Sequence, residues 1–237
     1  MKRRGFVSLF AILTAFALTT NAFAMDTQEE LVLTKEQEQE VKEAKERTKN
    51  FTQSLKGNKI VKNQLQDFKI DSLKKKNLSG DSATMAVDDE YPTRSGVILV
   101  TTDFSSDTSS GWVGGHAGII YSKSTTVEAY GLPGKYGVLK LKNDWNKRGL
   151  DNFVAVTLKR TSTKDDDKAS NWAYDQIDKG YNYNFWDIET RKRFYCSQLV
   201  YAAYKDTVGI DLNDDGGAVW PVDLADSRHV SSIYEEY

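Results

Sequence analysis

The sequence predicts an α+β domain over residues 91–237, an antiparallel sheet packed against helices, preceded by an N-terminal helical extension. Three observations carry this reading. Five short apolar runs of β character follow one another between residues 97 and 158, with turn signals between them. Two segments with helical apolar spacing come after the strands, and residues 34–76, ahead of Tyr91-Pro92, are instead charge-rich and helical in character.

In chain order, residues 1–24 read as a secretory signal. Lys2, Arg3 and Arg4 form a basic start, residues 6–17 an uncharged apolar stretch, and Ala22-Phe23-Ala24 a small-residue cleavage site. Cleavage after Ala24 and a secreted or cell-envelope location are expected. An uncleaved anchor is the other reading, but Thr14, Thr19, Thr20 and Asn21 interrupt the apolar run and leave it short for a span. The mature chain is therefore expected to carry no transmembrane span.

Residues 25–90 read as a helical extension and linker. Thr34 and Gln37 fit a capping box, and Val41, Ala44 and Thr48 give a thin apolar stripe with little to pack against. Helical character continues over residues 51–76, with a break expected at Gly57-Asn58, and residues 78–90 lack periodicity. The Lys74-Lys75-Lys76 run reads as a solvated face, with anionic wall polymer or lipid as the other reading. An inhibitory prosegment, a spacer and a wall-targeting stalk all fit this extension, and its deletion is expected to leave a folded core.

Within residues 91–237 the expected strands are 97–100, 117–121, 126–130, 138–141 and 153–158, separated by turn signals at Gly111, 122–125, 131–134 and Asn143-Asp144. A first helix is expected to open at Thr163 with Asp166 three residues on, to carry Ala169, Trp172, Ala173 and Ile177 on one face, and to stop at Gly180. A second carries Cys196, Leu199, Val200, Ala203 and Tyr204 and ends before Gly209.

Composition narrows the function classes. Among 237 residues, 39% are hydrophobic and only 3 are proline, which excludes collagen-like, wholly disordered and polytopic membrane chains. Lys+Arg 32 against Asp+Glu 34 gives a formal charge of -2, so no nucleic-acid partner is expected. A single cysteine, Cys196, cannot close an internal disulfide or build a cysteine zinc site, and no cofactor or metal is implied.

An unpaired thiol in an exported chain is exposed to oxidation, so Cys196 is either a buried packing residue or a chemical one. Its place in the first turn of the second helix favours chemistry. The positive end of the helix stabilises a thiolate, and the backbone N–H of Cys196 is placed to meet a developing oxyanion. A thiol nucleophile needs a base, and the chain has two histidines. His116, in Gly114-Gly115-His116-Ala117-Gly118, opens a strand with room around the ring, whereas His229 stands in a polar stretch near the C-terminus. Twelve residues on, Glu128 interrupts an apolar strand. It is either an edge charge facing solvent or the acceptor that orients the imidazole. A hairpin turning at about Ser122 would set His116 and Glu128 directly opposite on one sheet face, within about 5.5 Å between Cβ atoms.

His116-Ala117-Gly118-Ile119-Ile120, Val127-Glu128-Ala129 and Tyr195-Cys196-Ser197-Gln198-Leu199-Val200, in that order, resemble the circularly permuted branch of the NlpC-type papain-like cysteine hydrolases, the YiiX-like amidases. The resemblance spans residues 94–230. It implies a permuted papain-like fold, a cleft between the cysteine helix and the sheet, and Cys196, His116 and Glu128 as nucleophile, base and orienter. The chain departs from relatives where Gly96-Val97-Ile98 lacks the aspartate common at the first strand. The activity implied is cleavage of amide or ester bonds through a thioester, on cell-wall peptides or on N-acyl and lipid substrates. A catalytically silent wall- or lipid-binding module in a papain-like shell is the other reading.

Two further features stay open. Tyr183, Trp186 and Tyr195 flank the cysteine helix and suit either the cleft or the core. Asp211-Leu212-Asn213-Asp214-Asp215-Gly216 matches the first half of a calcium loop, but Val222 stands where the twelfth-position glutamate belongs, which favours a plain acidic turn.

Overall fold

The structure, a computed structural model, describes residues 33–75, 91–103 and 113–236, with side chains over 58–75 excepted. The expected signal segment, the 78–90 linker, the turn at Gly111 and the Lys76 end of the lysine run lie outside the described residues. The elements in order are α1 (Lys35–Lys75), β1 (Ile98–Thr101), β2 (His116–Ser122), β3 (Thr125–Leu132), β4 (Lys135–Lys142), β5 (Phe153–Leu158), α2 (Thr163–Tyr174), β6 (Gly180–Tyr181), β7 (Arg193–Phe194), α3 (Cys196–Val208), α4 (Pro221–Asp226) and β8 (Val230–Glu236).

Six strands form one antiparallel sheet in the order β4-β3-β2-β1-β5-β8. The β-branched and apolar residues of β1 and β2 are buried in succession rather than in alternation, so the sheet is covered on both faces. Val97, Leu99, Ile120, Trp145, Phe153 and Ala155 make one core cluster, closed by Tyr91, Leu150 and Tyr234. Ile98, Val100, Ala117 and Ile119 alternate with them and are equally buried, and α2 and α3 pack across β2 and β3.

Several local expectations shift. The capping box of α2 lies one residue earlier than expected: Asp165 N–H donates to Ser162 Oγ at 3.3 Å, and Ser162 N–H donates to Asp165 Oδ2 at 3.2 Å. Asp166 is free for another task, accepting from Arg94 and from Thr161 inside the fold. The helix ends at Tyr174 rather than at Gly180, because the chain turns at Asp178, in the left-handed region at φ 71, to enter β6. No break occurs at Gly57. That residue is exposed with open space around it, and one exposed helical glycine costs only about 1 kcal/mol.

The extension also has more to pack against than its thin stripe implies. Val41, Ala44, Thr48 and Leu55 are buried, and polar residues beside them are anchored far along the chain. Glu40 accepts from the backbone N–H of Ala218 and from the indole N–H of Trp186, each at 2.7 Å. Gly217 lies under that carboxylate, where any Cβ would come within 2.7 Å of it. Arg47 pairs with Asp223 at 2.6 Å and Asp215 at 2.7 Å. These charged anchors are invisible to a hydrophobic-periodicity reading. Glu40→Ala leaves the buried N–H of Ala218 without an acceptor, so it should cost about 2 kcal/mol and lower the melting temperature by roughly 4–8 °C, read by circular dichroism. An unchanged melt would show that the Glu40 anchor adds nothing to the fold.

Candidate active site

Three short pieces of backbone geometry build the site. The first is the start of α3. Tyr195 caps it in an extended conformation, and its N–H donates to Gln198 Oε1 at 3.2 Å, so Cys196 falls in the first helical turn. Its neighbours are locked: Ser197 Oγ donates to the Val219 carbonyl at 2.7 Å, and Tyr195 Oη donates to the Phe185 carbonyl and accepts from Val219 N–H, both at 2.9 Å. The helix ends on Gly209 at φ 75, in the left-handed cap conformation.

The second piece is the entry to β2. Gly115 (φ +88) passes so close to β1 that a Cβ there would lie 2.3 Å from the Thr101 carbonyl oxygen, so only glycine lets the chain deliver His116 to the end of the strand. The imidazole is 2% exposed, tilted against Tyr130 (4.3 Å between ring centroids) and stacked on Trp145 (5.5 Å). It hydrogen-bonds both Cys196 and Glu128. Its Nε2 lies 2.9 Å from Glu128 Oε2, which leaves Nδ1 as the nitrogen available to the thiol.

The third piece is the β2–β3 register, which differs from the expected one. Gly118, not His116, stands opposite Glu128, because the two-residue turn is Lys123-Ser124, just past Ser122, and the register shifts by one residue at a bulge between Ile120 and Ser122. A shift of two keeps the face, so His116 and Glu128 meet on the diagonal. Gly118 makes this reach feasible: a Cβ there would come within 2.7 Å of Glu128 Cγ and 3.3 Å of Trp145.

Glu128 is not an edge charge. It is completely buried, and β3 runs between β2 and β4. Besides His116, its oxygens accept from Thr126 Oγ1 (2.5 Å), Tyr130 Oη (2.8 Å), Trp145 Nε1 (3.1 Å) and both terminal nitrogens of Arg148 (2.9 Å each). Burial works to raise its pKa, but the hydrogen bond from His116 and the charge of Arg148 outweigh burial and hold it well below the usual carboxylate range. Burial likewise works to lower the His116 pKa, and the bonds to Cys196 and Glu128 overcome this and raise it. The arrangement favours imidazolium between two anions, a thiolate and a carboxylate.

An open cleft of about 410 Å³ lies against this imidazole, walled by Tyr130, Leu141, Trp145 and Leu150 and rimmed by Lys135, Lys142, Asp144 and Arg148. Cys196 itself is fully buried. Burial alone suits a packing cysteine equally well; the bond to His116 is what distinguishes it. The three flanking aromatics stay off this wall. Tyr195 is in the core, Trp186 packs on Trp220 and binds Glu40, and the half-exposed Tyr183 donates to the Gly131 carbonyl.

His229 lies elsewhere, accepting from Arg228 beside Asp214. The acidic turn sends its carboxylates to three separate cations: Asp211 to Lys205, Asp214 to Arg228 and Asp215 to Arg47. Among the described residues no three metal-ligating side chains converge.

Residues 96–216, just over half the chain, match the family of permuted papain-like amidases of the YaeF/YiiX type, peptidase family C92. The chain belongs to this family. Fold class and enzyme class, a permuted papain-like α+β domain and a thiol-dependent amidase, accord with it. The chain is also 26% identical over 129 residues to the uncharacterized protein YycO of Bacillus subtilis, covering 52% of this chain and 50% of the relative, so it spans about half of that protein's length. A crystal structure of the metalloprotein YiiX from Escherichia coli O157:H7 aligns with a TM-score of 0.49 at 17% identity, over 61% of this chain and 98% of that one.

Sequence reasoning missed Arg148 and Trp145, which reach Glu128 from the loop between β4 and β5. No local pattern marks a loop arginine for a carboxylate 20 positions earlier. Tyr130 carried a signal, since it lies two residues from Glu128 and so on the same strand face.

Proposed function

We propose that this chain is an exported cysteine hydrolase that cleaves amide or ester bonds through an acyl-enzyme on Cys196. His116 acts as the base and then the acid, and Glu128 orients it. The carrying observation is the continuous hydrogen-bonded chain from Cys196 through His116 to Glu128, closed by fixed donors at its far end.

The chemistry follows from that geometry. Sγ attacks the carbonyl carbon, and the C–N or C–O bond breaks as imidazolium gives its proton to the leaving amine or alcohol. Water then attacks the thioester; His116 takes its proton, the C–S bond breaks, and the acid product leaves with the thiolate restored. The positive end of α3 favours charge on sulfur at both stages. The substrate class is cell-wall peptide or N-acyl and lipid amide, within reach of a chain exported by residues 1–24. The apolar wall of the cleft beside its charged rim suits a substrate with both kinds of surface.

Incubating wild-type and Cys196→Ala protein with purified muropeptides and with N-acyl amino acids tests this. Product from one set with the wild type and none with the variant is the expected result. Equal product from both proteins would contradict the mechanism, and no product from either would favour the silent binding module.

A further inference from the structure

We propose that Arg148 is a positioning residue of this site: its guanidinium forks onto both oxygens of Glu128 and keeps that carboxylate fixed and charged, so that the proton stays on His116 and the negative charge on Cys196. The inference rests on the cysteine-hydrolase reading above and adds to it a residue outside the Cys-His-Glu set.

The geometry is that of a built clamp. Arg148 Nη1 meets Glu128 Oε2 and Nη2 meets Oε1, each at 2.9 Å, the paired fork that a planar guanidinium makes with a carboxylate and an ammonium cannot. The arginine is itself held in place. Its Nε donates to Asp144 Oδ1 at 3.0 Å, and Nη2 also donates to the Lys142 carbonyl at 2.8 Å. Its backbone N–H closes the 3-10 turn at Trp145–Lys147, and Gly149 at φ +69 turns the chain away immediately afterwards. A residue needed only for solubility has no use for this much anchoring.

Charge supplies the reason. Thiolate, imidazolium, carboxylate, guanidinium and the Asp144 carboxylate form a series of alternating sign. Among the described residues, the other titratable groups beside this series include Tyr91, Tyr130 and Tyr195, whose pKa values burial raises, and Lys135 and Lys142 at the cleft. Without Arg148, two anions would share one imidazolium in a buried site. Removing a positive charge raises the proton affinity of every group near it. The thiolate would then form only at higher pH.

The test separates charge from geometry by following iodoacetamide alkylation of Cys196 against pH in full-length protein. In Arg148→Gln the acid limb of the profile should move up by about one pH unit, a loss of roughly tenfold in rate on that limb. In Arg148→Lys the limb should stay near its wild-type position while the rate plateau falls. In Arg148→Ala, millimolar guanidinium chloride should move the limb back, because the space vacated opens on the cleft. Melting temperature is followed in parallel, so a variant that fails to fold is recognised, and Arg148→Lys then carries the comparison. A lower melting temperature with an unmoved limb in Arg148→Gln would overturn the inference and reduce Arg148 to a structural role. That outcome is distinct from failure of the underlying reading, in which Cys196→Ala would retain hydrolysis.

Discussion

Glu128→Ala should melt roughly 10 °C or more below the wild type, the largest single-residue stability loss expected in this chain. The substitution leaves the Arg148 guanidinium, the Trp145 indole N–H and two hydroxyls around a buried space with no acceptor. Removing one member of a buried, hydrogen-bonded ion pair typically costs about 3–5 kcal/mol. Glu128→Gln, which keeps the shape and one acceptor oxygen, should lose less. The pH dependence follows from the shifted groups. Because the folded Glu128 pKa lies below its ordinary 4.5, its contribution is complete above that value and is lost as pH falls through the folded pKa. The His116 pKa is raised above 6.5, so its contribution is complete below 6.5 and is lost as pH rises through the folded value. The Glu128 contribution should therefore be lost in acid and the His116 contribution on the alkaline side. A Glu128→Ala melt within about 2 °C of the wild type would show that the carboxylate cluster contributes no net stability.

His116→Ala should lower the rate of amide hydrolysis by about 10³-fold or more, since it removes both the base and the leaving-group acid. The fold should survive better than in Glu128→Ala, because the lost ring leaves Glu128 with all its other donors. Steady-state rates on whichever substrate set responds, measured beside the melt, separate the two effects. Hydrolysis within tenfold of the wild type would show that another group acts as base.

The elements that carry the site were legible because their residues signal locally. Strands β1 to β5 show as apolar runs between turns, and α3 as a 3.6-residue stripe ending at Gly209. Other elements do not signal in that way. α4 is six residues long, too short for periodicity, and β8 is an edge strand whose exposed serines and part-buried acids break any alternation. The diagonal reach of Glu128 depended on a bulge, and a bulge leaves no mark on hydrophobic pattern. Arg148 and Glu40 act over long separations through charge and single hydrogen bonds, which sequence spacing does not encode.

Iodoacetamide alkylation of Cys196 in the native full-length protein, followed from pH 5 to 9 and compared with His116→Ala, tests the central claim most directly. A thiolate held by an imidazolium at a helix start predicts fast labelling already near neutral pH, slowed at least roughly tenfold in the variant. A cysteine that stays unlabelled until denaturant is added, with or without His116, would be a packing residue and would contradict the account.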